Sequence, residues 1–179
     1  MAFYGVILGL KVNLKIRNDI LINNDILRRV RYTFDLKDST MIEIFSLADF
    51  NATKEQITAW LKKEDDEAFL KLKDIELASF LNGFINLKRG KREGEQSKPE
   101  KSLNNNAVFQ KLRIALNLKT EAILAIFQLV DFSISNHELS AFFRKPDHKN
   151  YRECKDQVLR NFLMGIQQQL RPTENFAAL

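Results

Sequence analysis

The sequence predicts an all-α protein made of two tandem copies of a four-helix unit, packed about a pseudo-twofold axis. Residues 23–85 align without a gap on residues 105–167, and apolar residues recur at helical spacing in both segments. The composition agrees, because six Gly and three Pro in 179 residues are too few for the frequent turns of a sandwich or barrel. We therefore expect eight helices, four in each copy.

The first two helices of a copy are predicted from amphipathic segments that follow capping residues. In the first copy, Asn24 or Asp25 is placed to cap the first helix, and Ser39 or Thr40 to cap the second. Each of these side chains accepts hydrogen bonds readily from the free N–H groups of a helix start.

The third helix of each copy is marked by a capping box. Thr53 is followed three residues later by Gln56, and Ser135 in the second copy is followed by Glu138. In this motif each side chain binds the backbone N–H of the other residue. Its appearance in both copies strengthens the prediction of a helix there.

The fourth helix of each copy is long and is expected to form the contact between the copies. Asp74 and Asp156 precede these helices, where an acidic cap suits the helix dipole. Gly83 and Gly165 lie inside them, and glycine costs about 1 kcal/mol relative to alanine in a helix. We expect this cost to be offset by close approach of the two long helices across the pseudo-twofold axis.

The repeat divides the chain into five segments. A linker rich in charge, with glycine and proline, separates the copies, because such a sequence has almost no apolar side chains to bury. The predicted segments are an N-terminal extension at residues 1–21, the first copy at 22–87, the linker at 88–104, the second copy at 105–171 and a C-terminal tail at 172–179.

The charge and the cysteine content bear on compartment and partners. The net charge of +5 and the pI of about 9.3 predict a mild attraction to polyanions. A single cysteine, Cys154, forms no internal disulfide, which is typical of a cytoplasmic protein. Lys11, Lys15 and Arg17 interrupt the apolar N-terminal run, so neither a membrane span nor a membrane partner is expected.

Two features suggest contact with nucleic acid. The second and third helices of a copy form a hairpin in which polar residues near the start of the third helix can reach base edges, although plain helix packing is the simpler explanation of such hairpins. Clustered basic residues can bind phosphates, although they also occur at solvated helix ends. The candidate residues are Lys54, Gln56 and Thr58 in the hairpin and Arg28, Arg29, Lys88, Arg89, Lys91 and Arg92 in the basic clusters.

Arg31 and Arg113 occupy equivalent positions at the border of the apolar face of the first helix. Each lies four residues after an apolar core position, so its side chain is expected at the edge of the buried surface. We expect each arginine to pair with a retained acid of its own copy. These acids are Asp49 or Asp65 in the first copy and Asp131 or Asp147 in the second.

Catalysis and metal binding have little support in the sequence. The EDDE segment at residues 64–67 carries carboxylates that suit a hard cation, but the second copy has PDHK there, and a solvated loop explains the cluster. His148 beside Asp147 can serve as a base, and a surface histidine is the simpler interpretation. We expect no metal and no cofactor.

Several segments together resemble the YehS-like family of small bacterial proteins, which share a tandem duplication and have no assigned activity. The resemblance covers residues 22 to 171 and implies a bacterial cytoplasmic protein without catalytic residues that can be carried over. Family members begin near the NNDIL segment, so residues 1–21 depart from the pattern, as an upstream start site would produce. The segments are NNDILRRVRYTFDLKD, AWLKKEDDEAF, SFLNGFINLKRGK, NNNAVFQKLRIALNLK and PDHKNYRECKDQVLRNFL.

The sequence leaves three classes of function open. The first is a non-enzymatic binding module associated with nucleic acid or with regulation, which the positive charge and the helix hairpins favour. The second is an adaptor that binds another protein, or a homo-oligomer, through exposed apolar faces of the copies. The third is a small enzyme that uses the loop at residues 146–154.

Overall fold

The computed structural model describes residues 20–172, and all regular structure in that range is helical, which confirms the all-α prediction. Most of the predicted N-terminal extension, residues 1–19, and all but the first residue of the predicted tail lie outside the described residues. Each copy contributes four helices, as expected. They are α1 (Asn23–Thr33), α2 (Asp38–Leu47), α3 (Lys54–Leu61) and α4 (Asp74–Arg89), then α5 (Asn105–Ala115), α6 (Thr120–Gln128), α7 (Asn136–Ala141) and α8 (Asp156–Leu170).

Aromatic side chains form the centre of each copy. In the first copy, the ring of Phe45 on α2 lies 5.4 Å from the rings of both Trp60 and Phe80. In the second, the rings of Phe109 and Phe162 are 4.2 Å apart. All five side chains are fully buried. Each copy therefore encloses its own aromatic cluster, and tilted ring pairs of this kind add to the free energy of apolar burial.

The copies pack through the first helix of one and the last helix of the other. The main contacts between copies join α4 to α5 and α1 to α8. Asp74 at the start of α4 accepts a hydrogen bond from the backbone N–H of Leu103 at 3.0 Å, and Asp156 accepts one from Leu21 at 2.8 Å. The two aspartates thus tie the copies together in a pseudo-twofold manner instead of capping their own helices.

The expected meeting of the two long helices at their glycines is wrong. Gly83 of α4 faces the backbone of Ile44 on α2, and Gly165 of α8 faces the backbone of Ile126 on α6. A Cβ atom at either glycine would overlap the carbonyl oxygen of the facing isoleucine. The glycines therefore allow close packing of two helices within a copy, which is what offsets their cost in a helix.

The capping boxes of the third helices are confirmed. The hydroxyl of Thr53 accepts from the backbone N–H of Gln56 at 3.2 Å, and the Gln56 side chain accepts from the N–H of Thr53 at 2.9 Å. Ser135 and Glu138 form the same pair of bonds in the second copy, at 3.2 and 3.1 Å. Local sequence sufficed here because both partners lie within one turn.

The predicted N-caps of the first two helices are wrong, since Asn24, Asp25, Ser39 and Thr40 all lie inside their helices. Asp25 still contributes to the start of α1, because its carboxylate accepts from the backbone N–H of Ile22 at 3.2 Å. Asn24 is buried, and its amide donates to the carbonyl oxygens of Trp60 and Leu70, both at 2.8 Å. Its oxygen accepts from the N–H of Leu72 at 2.9 Å. The side chain of Asn24 therefore binds the segment that leads into α4 and does not cap α1. Asn106 makes the equivalent three bonds in the second copy, to Phe142, Arg152 and Cys154.

Candidate functional site

A cleft of about 900 Å³ opens between the two copies, where the end of α4 and the segment after it face the turn between α5 and α6. We call it the inter-copy cleft. Four basic residues line it: Arg89, Arg92, Arg113 and Lys119. Arg89 is the last residue of α4, and Lys119 immediately precedes α6. Two different parts of the chain therefore bring positive charge to one concave surface.

Two carboxylates also line the inter-copy cleft, and they do not balance its positive charge. Glu95 pairs with Lys98 at 3.3 Å, so its charge is already matched. Glu121 lies in the first turn of α6 and forms no ion pair within residues 20–172. With four basic side chains against these two acids, the lining carries an excess of two positive charges. Such a surface concentrates anions from solution.

The segment predicted as a linker forms one wall of the inter-copy cleft and is bonded to α4. Gln96 accepts a hydrogen bond from the side chain of Asn86 at 3.3 Å and donates to the carbonyl oxygens of Arg92 and Gly94 at 2.8 and 3.0 Å. The amide of Asn82 donates to the carbonyl oxygen of Ser97 at 3.1 Å. These bonds place Arg92 at the mouth of the cleft.

The region of the first copy that corresponds to the inter-copy cleft contains two ion pairs. Arg31 binds Asp38 at 2.7 Å, and Arg171 binds Asp35 at 3.4 Å. The Arg171 guanidinium also stacks 4.4 Å above the ring of Tyr32. By the shift that aligns the copies, Arg171 corresponds to Arg89 and Arg31 corresponds to Arg113. Both arginines of this region therefore have carboxylate partners.

The second copy lacks both of those carboxylates. Asn117 stands where the first copy has Asp35, and Thr120 stands where it has Asp38. The Arg113 side chain instead donates to the carbonyl oxygen of Leu118 at 3.4 Å and lies 4.5 Å above the ring of Phe143. Neither Arg113 nor Arg89 pairs with a carboxylate in the part of the chain that the structure describes.

The predicted acid partners of Arg31 and Arg113 are therefore wrong. Asp49 and Asp131 follow α2 and α6 in the left-handed backbone region, with φ angles of 57° and 54°. Aspartate and asparagine tolerate this conformation better than most residues, which explains why both copies have aspartate there. Asp65 and Asp147 form no ion pair among the described residues.

Most of the predicted phosphate-binding cations have partners inside the protein. Arg28 binds Asp25 at 2.5 Å, and Arg29 donates to the side chain of Gln167 at 2.5 Å. Burial lowers the pKa of Arg29 below its ordinary value. Lys88 lies over the rings of Phe34 and Phe84, and Lys91 binds Asp49. Arg89 and Arg92 are the two members of the set that line the inter-copy cleft.

Two of the three predicted polar residues of the helix hairpin also form hydrogen bonds within the protein. The Gln56 side chain completes the capping box, and the Thr58 hydroxyl donates to the carbonyl oxygen of Lys54 at 2.8 Å. Lys54 is exposed at the start of α3. Their contact with nucleic acid stays a prediction.

The loop at residues 146–154 places Asp147 and His148 in the lining of one surface pocket. His148 accepts a hydrogen bond at Nδ1 from the backbone N–H of Asn150 at 3.0 Å. The neutral ring then carries its proton on Nε2, which leaves no free lone pair for a general base. Burial, with Asp156 and Glu153 nearby, raises the pKa of the Cys154 thiol to about 12, so the thiolate is scarce at neutral pH.

The acidic segment at residues 64–67 is used locally. Asp66 binds Lys62 at 2.7 Å and accepts from the backbone N–H of Ala68 at 2.9 Å, and these contacts lower its pKa. Within residues 20–172, no group of three or more histidine, cysteine, aspartate or glutamate side chains is arranged to hold a metal ion.

The fold and the inter-copy cleft define a class of duplicated all-helical proteins with a basic concave surface between the copies. The chain belongs to the family described as "Protein of unknown function (DUF1456)", which matches residues 23–90 and 105–171. It is 50% identical over 147 residues to the uncharacterized protein YehS of Escherichia coli (strain K12), covering 82% of this chain and 94% of that protein. The predicted family is thereby confirmed.

Two further comparisons complete this description. No solved structure matches the chain. None of the described helices is both long enough and apolar enough to span a membrane.

The sequence predicts a phosphate contact for two of the four basic residues that line the inter-copy cleft, Arg89 and Arg92. For Arg113 it predicts an ion pair, and it indicates no role for Lys119. The signal was present in the aligned copies, because Asp35 and Asp38 are replaced by uncharged residues while the arginines are retained. Whether this replacement leaves a basic cleft depends on which helix ends lie side by side in the fold, and the alignment of the two copies does not contain that information.

Proposed function

We propose that this protein is a non-enzymatic, cytoplasmic binding module that contacts the phosphates of nucleic acid through the inter-copy cleft. One observation carries the proposal: Arg89, Arg92, Arg113 and Lys119 line one cleft and form no ion pair with a described carboxylate. A cytoplasmic location is supported by Cys154, which is buried and free.

Arginine and lysine side chains that lack internal partners suit the phosphate backbone. Their binding releases the counterions that surround a polyanion, which is the main source of affinity for nucleic acid. The arginine guanidinium presents its donors in a planar fork that matches phosphate oxygens. The cleft also contains the exposed amide side chain of Asn117, which can donate to or accept from sugars and bases.

The experiment is fluorescence anisotropy of the full chain with duplex DNA, single-stranded DNA and structured RNA at about 50 mM and about 200 mM salt. The test variant is Arg92→Ala with Lys119→Ala. The matched control is Lys37→Ala with Lys54→Ala, which removes the same charge elsewhere and includes the exposed lysine of the helix hairpin.

We expect binding at low salt, and a loss of about 2 in the slope of log affinity against log salt for the test variant only. Absence of binding to all three probes at low salt contradicts the proposal. An effect confined to the control variant would instead place binding at the hairpin of α2 and α3.

The other classes of function have less support. Large apolar side chains that are exposed among the described residues lie on α4, α5 and α8 and in the segments outside the helices. An enzyme that uses His148 meets the difficulty that Nδ1 is already an acceptor. Size-exclusion chromatography with light scattering tests whether the chain forms a homo-oligomer.

A further inference from the structure

We propose that the inter-copy cleft holds one phosphoryl group between Arg113 and Arg89, in the place that the carboxylates of Asp38 and Asp35 occupy in the first copy. If the bound phosphoryl group belongs to nucleic acid, this inference rests on the proposed function. The binding of an oxyanion by two arginines depends only on the residues of the cleft. The first copy thus serves as an internal template for the bound state of the second.

The first part of the template is the pair of Arg31 and Asp38. Arg31 lies on α1 and Asp38 is the first residue of α2, and the two charges meet at 2.7 Å. This contact demonstrates that an arginine at this position reaches an anion at the start of the following helix. Arg113 and α6 repeat this arrangement, but the first residue of α6 is Thr120, which has no carboxylate, where α2 begins with Asp38.

The second part of the template is the pair of Arg171 and Asp35. The replacement of Asp35 by Asn117 removes the charge without altering the turn, because both residues have a φ of 51°. Tyr32, which supports Arg171, is replaced by Ile114. Arg89 therefore loses both the carboxylate and the ring that hold its counterpart, and its guanidinium remains available at the cleft.

The surroundings of Arg113 leave donors for an anion. The ring of Phe143 supports one face of the guanidinium, and within residues 20–172 one hydrogen bond, from Nε to Leu118, uses its donors. The Thr120 hydroxyl adds a donor at the start of α6, where the helix dipole favours negative charge. Glu121 opposes an anion nearby, and Lys119 beside it offsets this charge.

The test restores the missing carboxylates. The variant Asn117→Asp with Thr120→Asp gives the second copy the acids of the first and leaves every arginine in place. The control, Asn51→Asp with Asn150→Asp, adds the same charge at exposed positions outside the cleft. Inorganic phosphate is titrated into the full chain by isothermal calorimetry and by thermal unfolding, and sulfate is titrated in parallel.

We expect one phosphate per chain, a rise in the unfolding temperature on binding, and roughly a tenfold or greater loss of phosphate affinity in the cleft variant only, because like charge replaces the bound anion. The cleft variant should also be more stable than the parent when phosphate is absent. The inference is overturned if phosphate does not bind, or if the cleft variant and the control bind it equally.

The source of the phosphoryl group is resolved by two oligonucleotides that differ only in a 5′-phosphate or a 5′-hydroxyl. If both oligonucleotides compete equally with inorganic phosphate, the site binds backbone phosphates. If only the oligonucleotide with a 5′-phosphate competes, the site binds a terminal phosphate. If phosphate binds as expected but neither oligonucleotide competes, the site stands and the nucleic-acid function fails. If oligonucleotides bind the parent and the cleft variant equally, nucleic acid is bound outside the inter-copy cleft and this site fails.

Discussion

The carboxylate of Asp74 accepts a hydrogen bond from the backbone N–H of Leu103 at 3.0 Å, and this bond joins the start of α4 to the chain that enters α5. The other oxygen of the same carboxylate accepts from Asn23 at 2.7 Å. Asp156 repeats both bonds with Leu21 and Asn105. Each aspartate therefore connects the first helix of its own copy to the first helix of the other.

Replacing Asp74 with asparagine should destabilise the protein by about 1.5–3 kcal/mol, because one of its two donors then loses its acceptor and the other keeps only an uncharged one. Asp156→Asn should have a similar effect. Urea unfolding of the full chain measures the change, with the exposed Asp65→Asn as the control. Equal stability of the Asp74 and Asp65 variants would show that the bond between copies contributes nothing measurable.

Removal of either buried asparagine should be more damaging. Asn24→Ala leaves two carbonyl oxygens and one N–H without their partner, and Asn106→Ala does the same in the second copy. We expect a loss of about 2–5 kcal/mol for each, since several buried polar groups lose a bond at once. Asn51→Ala, at an exposed site, should change little. Chemical denaturation ranks the three variants.

The two helix glycines should not tolerate a methyl group. Gly83→Ala and Gly165→Ala place a Cβ atom against a facing backbone carbonyl, which a change of rotamer does not relieve, and we expect a loss of about 1–3 kcal/mol or more in urea unfolding. At Gly90, the C-cap of α4, an added Cβ atom meets no neighbour, but φ of 86° and ψ of 141° are nearly restricted to glycine, so alanine there should cost about 1–3 kcal/mol through the backbone alone. If both helix variants are as stable as the parent, the close helix contact is not what selects glycine.

Stability should fall at high pH because of the buried Cys154. Burial raises its pKa from 9.0 to about 12, so the unfolded chain loses the proton first. The contribution is fully present below pH 9.0 and is lost as the pH rises toward about 12, with a slope of up to about 1.4 kcal/mol per pH unit. Denaturation from about pH 8 to about pH 11 should show this slope in the parent and not in Cys154→Ala. Parallel curves for the two proteins contradict it.

The sequence by itself determined the features that depend on neighbours along the chain. The duplication follows from aligned residues, the eight helices follow from apolar spacing, and the capping boxes at Thr53 and Ser135 join residues three apart. These features are local, so the periodicity of a helix is enough to predict them.

Only the tertiary structure decided which surfaces meet. A glycine inside a long helix, such as Gly83 or Gly165, is compatible with close contact to any neighbouring helix. The tertiary structure shows that these neighbours are α2 and α6. Likewise, Arg113 has the position of the paired Arg31, but Asn117 and Thr120 stand where the first copy has Asp35 and Asp38. Arg113 and Arg89 line the same cleft because α4 packs on α5. Side chains far apart in the chain become one site only when the helices that carry them are packed together.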